Sequence, residues 1–327
     1  MKRRTLLKSA GASALGVTVS QAVLSRTGWP TSMTLSTASP GGAFAVYGQA
    51  WATLVSELLK IPTSTQQTQG PNQNLVLIDT KRVELGMTTL GPAFEAWTGE
   101  LELRRGVKHT NVRALFAMYE TPFHIVTLKR SGISSVAQLN GKTVGVGPQA
   151  GTPGTYFPRW FRELGINVTI RYGAATDMAS QVADGRLDAF AFASGVPIPA
   201  FSELETTAQS GATFFAFTKD EIEKLLPKNP FVSPFTIPAN TYKSMPDAQS
   251  TVAMWNFTIA HKDMPEDLAY EITKQSLENA NRLVTAIKAA EATRPENAIN
   301  NGFLTFHPGA LRYYQEKGIK LDPRAVA

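Results

Sequence analysis

Short alternating or apolar stretches recur along the chain, each followed by a glycine-rich turn and then by residues at helical spacing. Met33 to Ala38 alternates as a strand does, Ser39-Pro40-Gly41-Gly42-Ala43-Phe44 breaks it, and the pattern predicts a helix from Ala45 to Leu59. Ser64 to Thr68 reads as a second strand and Gly70 to Asn74 as a turn and cap. Leu75 to Arg82 then reads as a helix, and Val83 to Gly91 as a third strand ending in small residues.

The same order begins again at residue 142. Lys142 to Gly147 is strand-like, Pro148 to Gly154 is a second glycine loop, Tyr156 to Leu164 is helical, and Val168 to Gly173 is the next strand. A helix from Asp177 to Asp184 leads to Gly185-Arg186-Leu187-Asp188, after which an apolar strand closes on Ser194-Gly195. Arg82-Val83-Glu84 precedes the earlier strand in the same way. Gly42 and Glu84 are 42 positions apart and Gly151 and Asp188 are 37 apart, so two α/β lobes of similar plan are expected.

Alternating strands and helices favour parallel sheets, whose ligands sit beyond the carboxyl ends of the strands, and both glycine loops lie at such ends. Val112 to Tyr119 and Phe123 to Leu128 flank Glu120-Thr121-Pro122 and suit a strand pair that crosses between lobes as a hinge around Tyr119 to Val126. Thr251 to Ala260 is a further strand that returns the chain to the first lobe. Pro265 to Ala290 reads as helical, with Leu268, Ile272, Leu283 and Ile287 at core spacing. The division expected is 1–28 for a leader and linker, 29–122 with 250–327 for lobe 1, and 123–249 for lobe 2.

A length of 327 residues suits two lobes of ordinary size. The formal charge of +6 includes Lys2, Arg3, Arg4 and Lys8, which leaves +2 for the remainder and no basic stripe suited to nucleic acid. With no cysteine, disulfides and thiolate chemistry are excluded. His109, His124, His261 and His307 show no ligand spacing, so neither a metal nor a cofactor is expected. Two arginines precede a weakly apolar run from Ser9 to Val19 and then Ser20-Gln21-Ala22, a small-x-Ala pattern. This resembles a twin-arginine export leader cleaved near Ala22, and predicts a periplasmic protein.

The mature chain resembles the TAXI class of periplasmic solute-binding proteins that serve TRAP transporters. The most specific stretch is His307-Pro308-Gly309-Ala310-Leu311-Arg312-Tyr313-Tyr314-Gln315-Glu316-Lys317-Gly318, similar to that family's ending. Supporting pieces in family order are Gly41-Gly42, Asn74, Leu139 to Lys142, Gly185 with Asp188-Ala189-Phe190, Gly195-Val196-Pro197 and Thr241-Tyr242. The resemblance implies a two-lobe periplasmic binding protein fold of type II-like plan, with a hinge and an interlobe ligand cleft. It also implies capture of a small organic acid (a dicarboxylate, oxo acid or acidic amino acid) and its delivery to membrane subunits. Where that family commonly has tyrosines after the glycine pair, this chain has Ala43, Phe44 and Ala45, and Tyr47, one helical turn on, is the substitute.

The binding residues expected on this basis come from both loops. Gly42, Ala43 and Phe44 offer amides and an aromatic wall. Asn74 either donates to a carboxylate or caps the helix after it. Thr88 and Thr89 end a strand at the cleft. Gly151, Thr152, Thr155 and Tyr156 form the second loop's share, and Gly195, Val196 and Pro197 either touch the ligand or shape the turn. Glu84 and Asp188, at the wrong end of the sheet, are structural, and Tyr313 and Tyr314 pack on lobe 1.

Two other functions fit parts of the sequence. Gly145-x-Gly147-x-x-x-Gly151 after a strand suggests an exported NAD(P)-dependent oxidoreductase, but the spacing has one residue too many, Pro148 intrudes, and the following strand ends in Arg171-Tyr172 where an acid is expected. A binding protein that docks on a membrane sensor shares every feature of the transport reading. No nucleophile motif is present, and the chain is not expected to be an enzyme.

Overall fold

A computed structural model describes residues 27–326, so the leader predicted before them lies outside the described residues. Among the described residues ten strands and ten α-helices follow one another. In the first half β1 (Met33–Ser36), α1 (Ala43–Leu59), β2 (Thr63–Gln66), α2 (Pro71–Asp79), β3 (Leu85–Thr89) and α3 (Leu90–Thr98) lead into the long β4 (Val112–Leu128). Next come β5 (Thr143–Gly145), α4 (Thr152–Glu163), β6 (Thr169–Arg171), α5 (Ala175–Ala183), β7 (Ala189–Ala193), α6 (Pro199–Thr207), β8 (Ala212–Phe215), α7 (Lys219–Leu225) and β9 (Ser233–Ile237). The chain closes with the long β10 (Gln249–His261), α8 (Glu266–Glu278), α9 (Asn281–Val284) and α10 (Pro308–Glu316).

The strand order β2-β1-β3-β10-β4-β7-β5-β6 shows the two passes directly. β1 pairs in parallel with β2 and β3, and β5 pairs in parallel with β6 and β7, so each lobe carries the same three-stranded parallel core. The acids before the third strand of each lobe have matching jobs. Glu84 accepts from the Thr34 amide at 2.7 Å and Asp188 from the Thr143 amide at 2.8 Å, each tying its own strand to the first strand of its lobe.

β4 and β10 run antiparallel and belong to both lobes. β10 pairs β4 from Ala253↔Pro122 to His261↔Val112, whereas β4 from Phe123 onward pairs β7 and β10 up to Ala253 pairs β9. The expected break at Glu120-Thr121-Pro122 is absent: β4 is continuous, because Pro122 falls where the strand changes partners and its missing N–H costs little. One apolar cluster draws on residues 33–119 and 255–325, and two others on residues 123–254. The crossing is clamped by buried Asn256, whose Nδ2 donates to the Tyr119 carbonyl at 2.7 Å and which also bonds the Thr121 hydroxyl, beside a register shift in β10.

The helix expected over Pro265 to Ala290 is three pieces: α8 stops at Glu278, α9 is a single turn, and a 3₁₀ segment covers Lys288–Ala292. Leu268, Ile272, Leu283 and Ile287 are nevertheless all buried. The His-Pro-Gly stretch at residue 307 serves packing. His307 Nδ1 accepts from the Gly309 amide at 3.2 Å and caps α10, Pro308 occupies its first turn, and a Cβ on Gly309 would sit 2.1 Å from the Glu266 carbonyl of α8. Tyr314 donates to the Leu115 carbonyl at 3.2 Å, and Tyr313 is buried beside it.

Candidate functional site

Both lobes end their parallel strands at one place, and a cavity of about 40 Å³ lies there, between them. That is room for a few ordered waters, so the lobes are closed on each other. Lobe 1 contributes Ala38, Ser39, Gly42 and Phe44 after β1, Gln69, Gly70 and Pro71 after β2, and Thr89 at the end of β3. Lobe 2 contributes Pro148, Gly151, Thr152 and Pro153 after β5 and Phe192, Ala193 and Ser194 from the end of β7, while Thr121 of the crossing strand forms the back.

The closed state is held by bonds from lobe to lobe. The Ala43 amide donates to Ser194 Oγ at 2.7 Å, the Thr89 and Thr152 hydroxyls are 2.6 Å apart, and Asn72 Nδ2 donates to Thr155 Oγ1 at 3.1 Å. Backbone bonds add to these: the Asn72 amide to the Ala150 carbonyl at 3.3 Å and the Ala200 amide to the Gly41 carbonyl at 3.1 Å. Beyond the cavity, Glu95 of α3 accepts from the Tyr156 hydroxyl at 2.8 Å and pairs with Arg159, both on α4. Burial, then the adjacent Glu95 carboxylate, holds the Tyr156 phenol well above its ordinary pKa of 10.0.

Glycine is required in both loops, at the lobe contact and within lobe 2. Gly70 has φ +124°, and a Cβ there would lie 3.1 Å from Gly151 Cα across the cleft. Gly154, inside the first turn of α4, has no room for a side chain because a Cβ would meet the Pro148 carbonyl at 2.0 Å. The second loop is accordingly shorter than expected: Thr152-Pro153-Gly154 is already helix, with proline in the first turn where its missing N–H is harmless.

Of the residues expected at a ligand, the structure brings Gly42, Phe44, Thr89, Gly151 and Thr152 to the cavity and places the Ala43 amide at its edge. Thr155 and Tyr156 bridge the lobes outside it. Tyr47 is elsewhere: α1 starts at Ala43, so residues 47, 51 and 55 face the lobe 1 core, and the Tyr47 hydroxyl bonds Thr293 at 3.1 Å. Asn74 is neither donor to the cleft nor cap. Its Nδ2 donates to the carbonyls of Thr37 and Met87 at 2.7 and 2.8 Å and its Oδ1 accepts from Thr68, which braces the strand ends under the loops. Thr88 points away, its hydroxyl bonded to its neighbour's carbonyl at 3.3 Å, as strand alternation requires once Thr89 faces the cleft.

Gly195, Val196 and Pro197 are also outside the cavity. A Cβ on Gly195 would strike the Tyr119 ring at 2.8 Å, and Val196 and Pro197 line a separate groove of about 360 Å³ behind the hinge, with Glu120 and Lys288. Ser39, Gln69, Gly70, Thr121 and Ser194 were not anticipated. Ser194 is one residue from a glycine that was, and Gly70 stands before the helix-starting Pro71, a signal for a loop at a strand end that the sequence does carry. Among the described residues no group of three His, Asp or Glu comes together as a metal would need.

Solved structures share this architecture at low identity. MatC (Rpa3494) from Rhodopseudomonas palustris with bound malate aligns at TM-score 0.57 and 14% identity, over 88% of this chain and 96% of that one. A periplasmic transporter structure aligns at 0.55 and 11%, over 80% and 88%. ArtJ, an arginine-, lysine-, histidine-binding protein from Geobacillus stearothermophilus, aligns at 0.50 and 12%, over 82% and 99%. The fold is the two-lobe α/β fold of periplasmic binding proteins. The sequence itself matches the NMT1-like family over residues 35–318, and the chain belongs to that family.

Proposed function

We propose that the chain is an exported receptor of the TAXI class that captures a small organic acid between its lobes and delivers it to TRAP transporter membrane subunits. The observation that carries this reading is the cavity at the strand ends of both lobes, closed by bonds such as Ala43 to Ser194. Magnitudes favour a closure that a ligand can control. Each cross-lobe hydrogen bond is worth about 1 kcal/mol, while each large apolar side chain buried within a lobe is worth about 1.5–3 kcal/mol. The lobes therefore part far more easily than they unfold, and a solute bound only by the closed form shifts that balance.

The twin-arginine-like leader and its cleavage near Ala22 complete the reading with export to the periplasm. Among the described residues no helix is long and apolar enough to cross a membrane. A sensor protein as docking partner would use the same capture step.

The dinucleotide alternative loses support at its glycines. A Cβ on Gly145 would meet Leu187 and Met178 at 2.9 Å, and one on Gly147 would meet Phe192 at 2.6 Å, so these glycines accommodate packing within lobe 2. Thermal unfolding of the mature chain with organic acids, malate among them, and with NAD and NADP tests the reading. A ligand at about 100 times its Kd adds about 2.7 kcal/mol of stability. A rise with an acid and none with nucleotides supports the receptor; a rise with a nucleotide alone overturns it.

A further inference from the structure

The cavity has no charged side chain among the residues that line it. Its polar lining is Ser39, Gln69, Thr89, Thr121, Thr152 and Ser194, set among Phe44, Phe192 and several prolines and alanines. Four helices start at it. Gly42, Gly70, Thr89 and Gly151 are the N-caps of α1, α2, α3 and α4; all four line the cavity, none caps its helix through a side chain, and none of the four helices has an acid in its first turn. Away from the cleft α7 has a complete capping box from Thr218 and Glu221, α8 carries Glu266 and Asp267 in its first turn and α10 is capped by His307, whereas α6 and α9 have neither device.

Each helix N-terminus carries about half a positive charge, so four of them around one closed cavity make its interior electropositive without any cationic side chain, even though the Ala43 and Asn72 amides are already bonded across the cleft. A carboxylate satisfies that interior. An ammonium does not, since it would face the same four helix ends with no Asp or Glu among the lining residues, and a desolvated unpaired cation is strongly penalised.

We infer that the cleft selects an amine-free organic anion, such as an oxo or hydroxy acid, and rejects the amino acid of the same carbon skeleton. This rests on the receptor reading above and removes acidic amino acids from its range. The carboxylate is held by helix ends and hydroxyls with no ion pair, and the phenylalanines and prolines take the carbon skeleton.

Matched pairs titrated into the mature chain by calorimetry decide it: 2-oxobutyrate against 2-aminobutyrate, 2-oxoglutarate against glutamate, and malate against aspartate. The expected result is binding of at least one amine-free acid, with its amino partner at least about 100-fold weaker, the scale of an unpaired buried charge. An amino acid that binds as tightly as its partner overturns the inference and leaves the receptor intact. No binding by any of the six overturns both. Thr152→Asp supplies a second reading, because a fixed carboxylate at the start of α4 imitates the ligand. The variant is expected to melt higher than the parent without solute and to lose its response to acids; a lower melting point with that response retained contradicts the inference.

Discussion

The hydroxyls of Thr89 and Thr152 lie 2.6 Å apart, one at the N-cap of α3 in the first lobe and the other at the start of α4 in the second. Neither lobe alone makes a site of its own loop. The contact also provides a switch, because the chain has no cysteine to compete with an introduced pair. Thr89→Cys with Thr152→Cys is expected to oxidise to a disulfide that fixes the closed form and adds about 4.3 kcal/mol to stability in the chain-entropy account. Calorimetry should then show no uptake of solute until the bond is reduced.

Gly151 tests closure by size. Its backbone is extended, so alanine fits the conformation, but the added Cβ would lie 3.1 Å from the Pro148 carbonyl and 3.2 Å from the Gln69 carbonyl of the other lobe. Gly151→Ala is expected to leave the unfolding free energy within about 1 kcal/mol of the parent while weakening solute binding about tenfold, since one such kilocalorie and a half spent on closure is that factor. Denaturant melts and calorimetry on one preparation separate the two effects.

Glu95 is a latch outside the cavity. Glu95→Ala removes the acceptor of the buried Tyr156 hydroxyl and the partner of Arg159, both on the opposite lobe. Leaving the hydroxyl unsatisfied costs the closed form about 1–3 kcal/mol, or roughly 5- to 150-fold in affinity. The effect should appear as faster solute release in stopped-flow traces, with no residue at the cavity altered.

The repeated strand, loop and helix order was legible because each lobe buries both faces of a parallel core, which writes apolar strands between glycine turns. Glu84 and Asp188 were readable as structural for the same reason. The cleft was only half legible. Gly42, Thr89 and Gly151 stand at strand ends in both readings, but Tyr47 and Asn74 share that neighbourhood in sequence and turn inward, because a helix start two residues earlier rotates one and three carbonyl and hydroxyl partners capture the other. Ser39 and Ser194 sit in loops the sequence does mark, but what makes them cleft residues is the approach of the other lobe, a contact far away along the chain.

His124 gives the protein an acid sensitivity. It is buried with Nε2 2.9 Å from the Tyr242 hydroxyl, and desolvation pulls its pKa from 6.5 down to about 3. Between those values the unfolded chain holds a proton that the folded one excludes, so stability is complete above pH 6.5 and falls as the pH drops towards 3, by about 1.4 kcal/mol per unit. Burial lowers His307 in the same direction. Urea melts at neutral and mildly acidic pH should show this slope in the parent and a shallower one in His124→Gln.

Small-angle scattering of the mature chain, titrated with whichever acid raises its melting temperature most, measures the capture step itself. The radius of gyration is expected to fall on saturation as β4 and β10 flex and the lobes close over the solute. An unchanged radius across a titration that calorimetry shows to be saturating would contradict it.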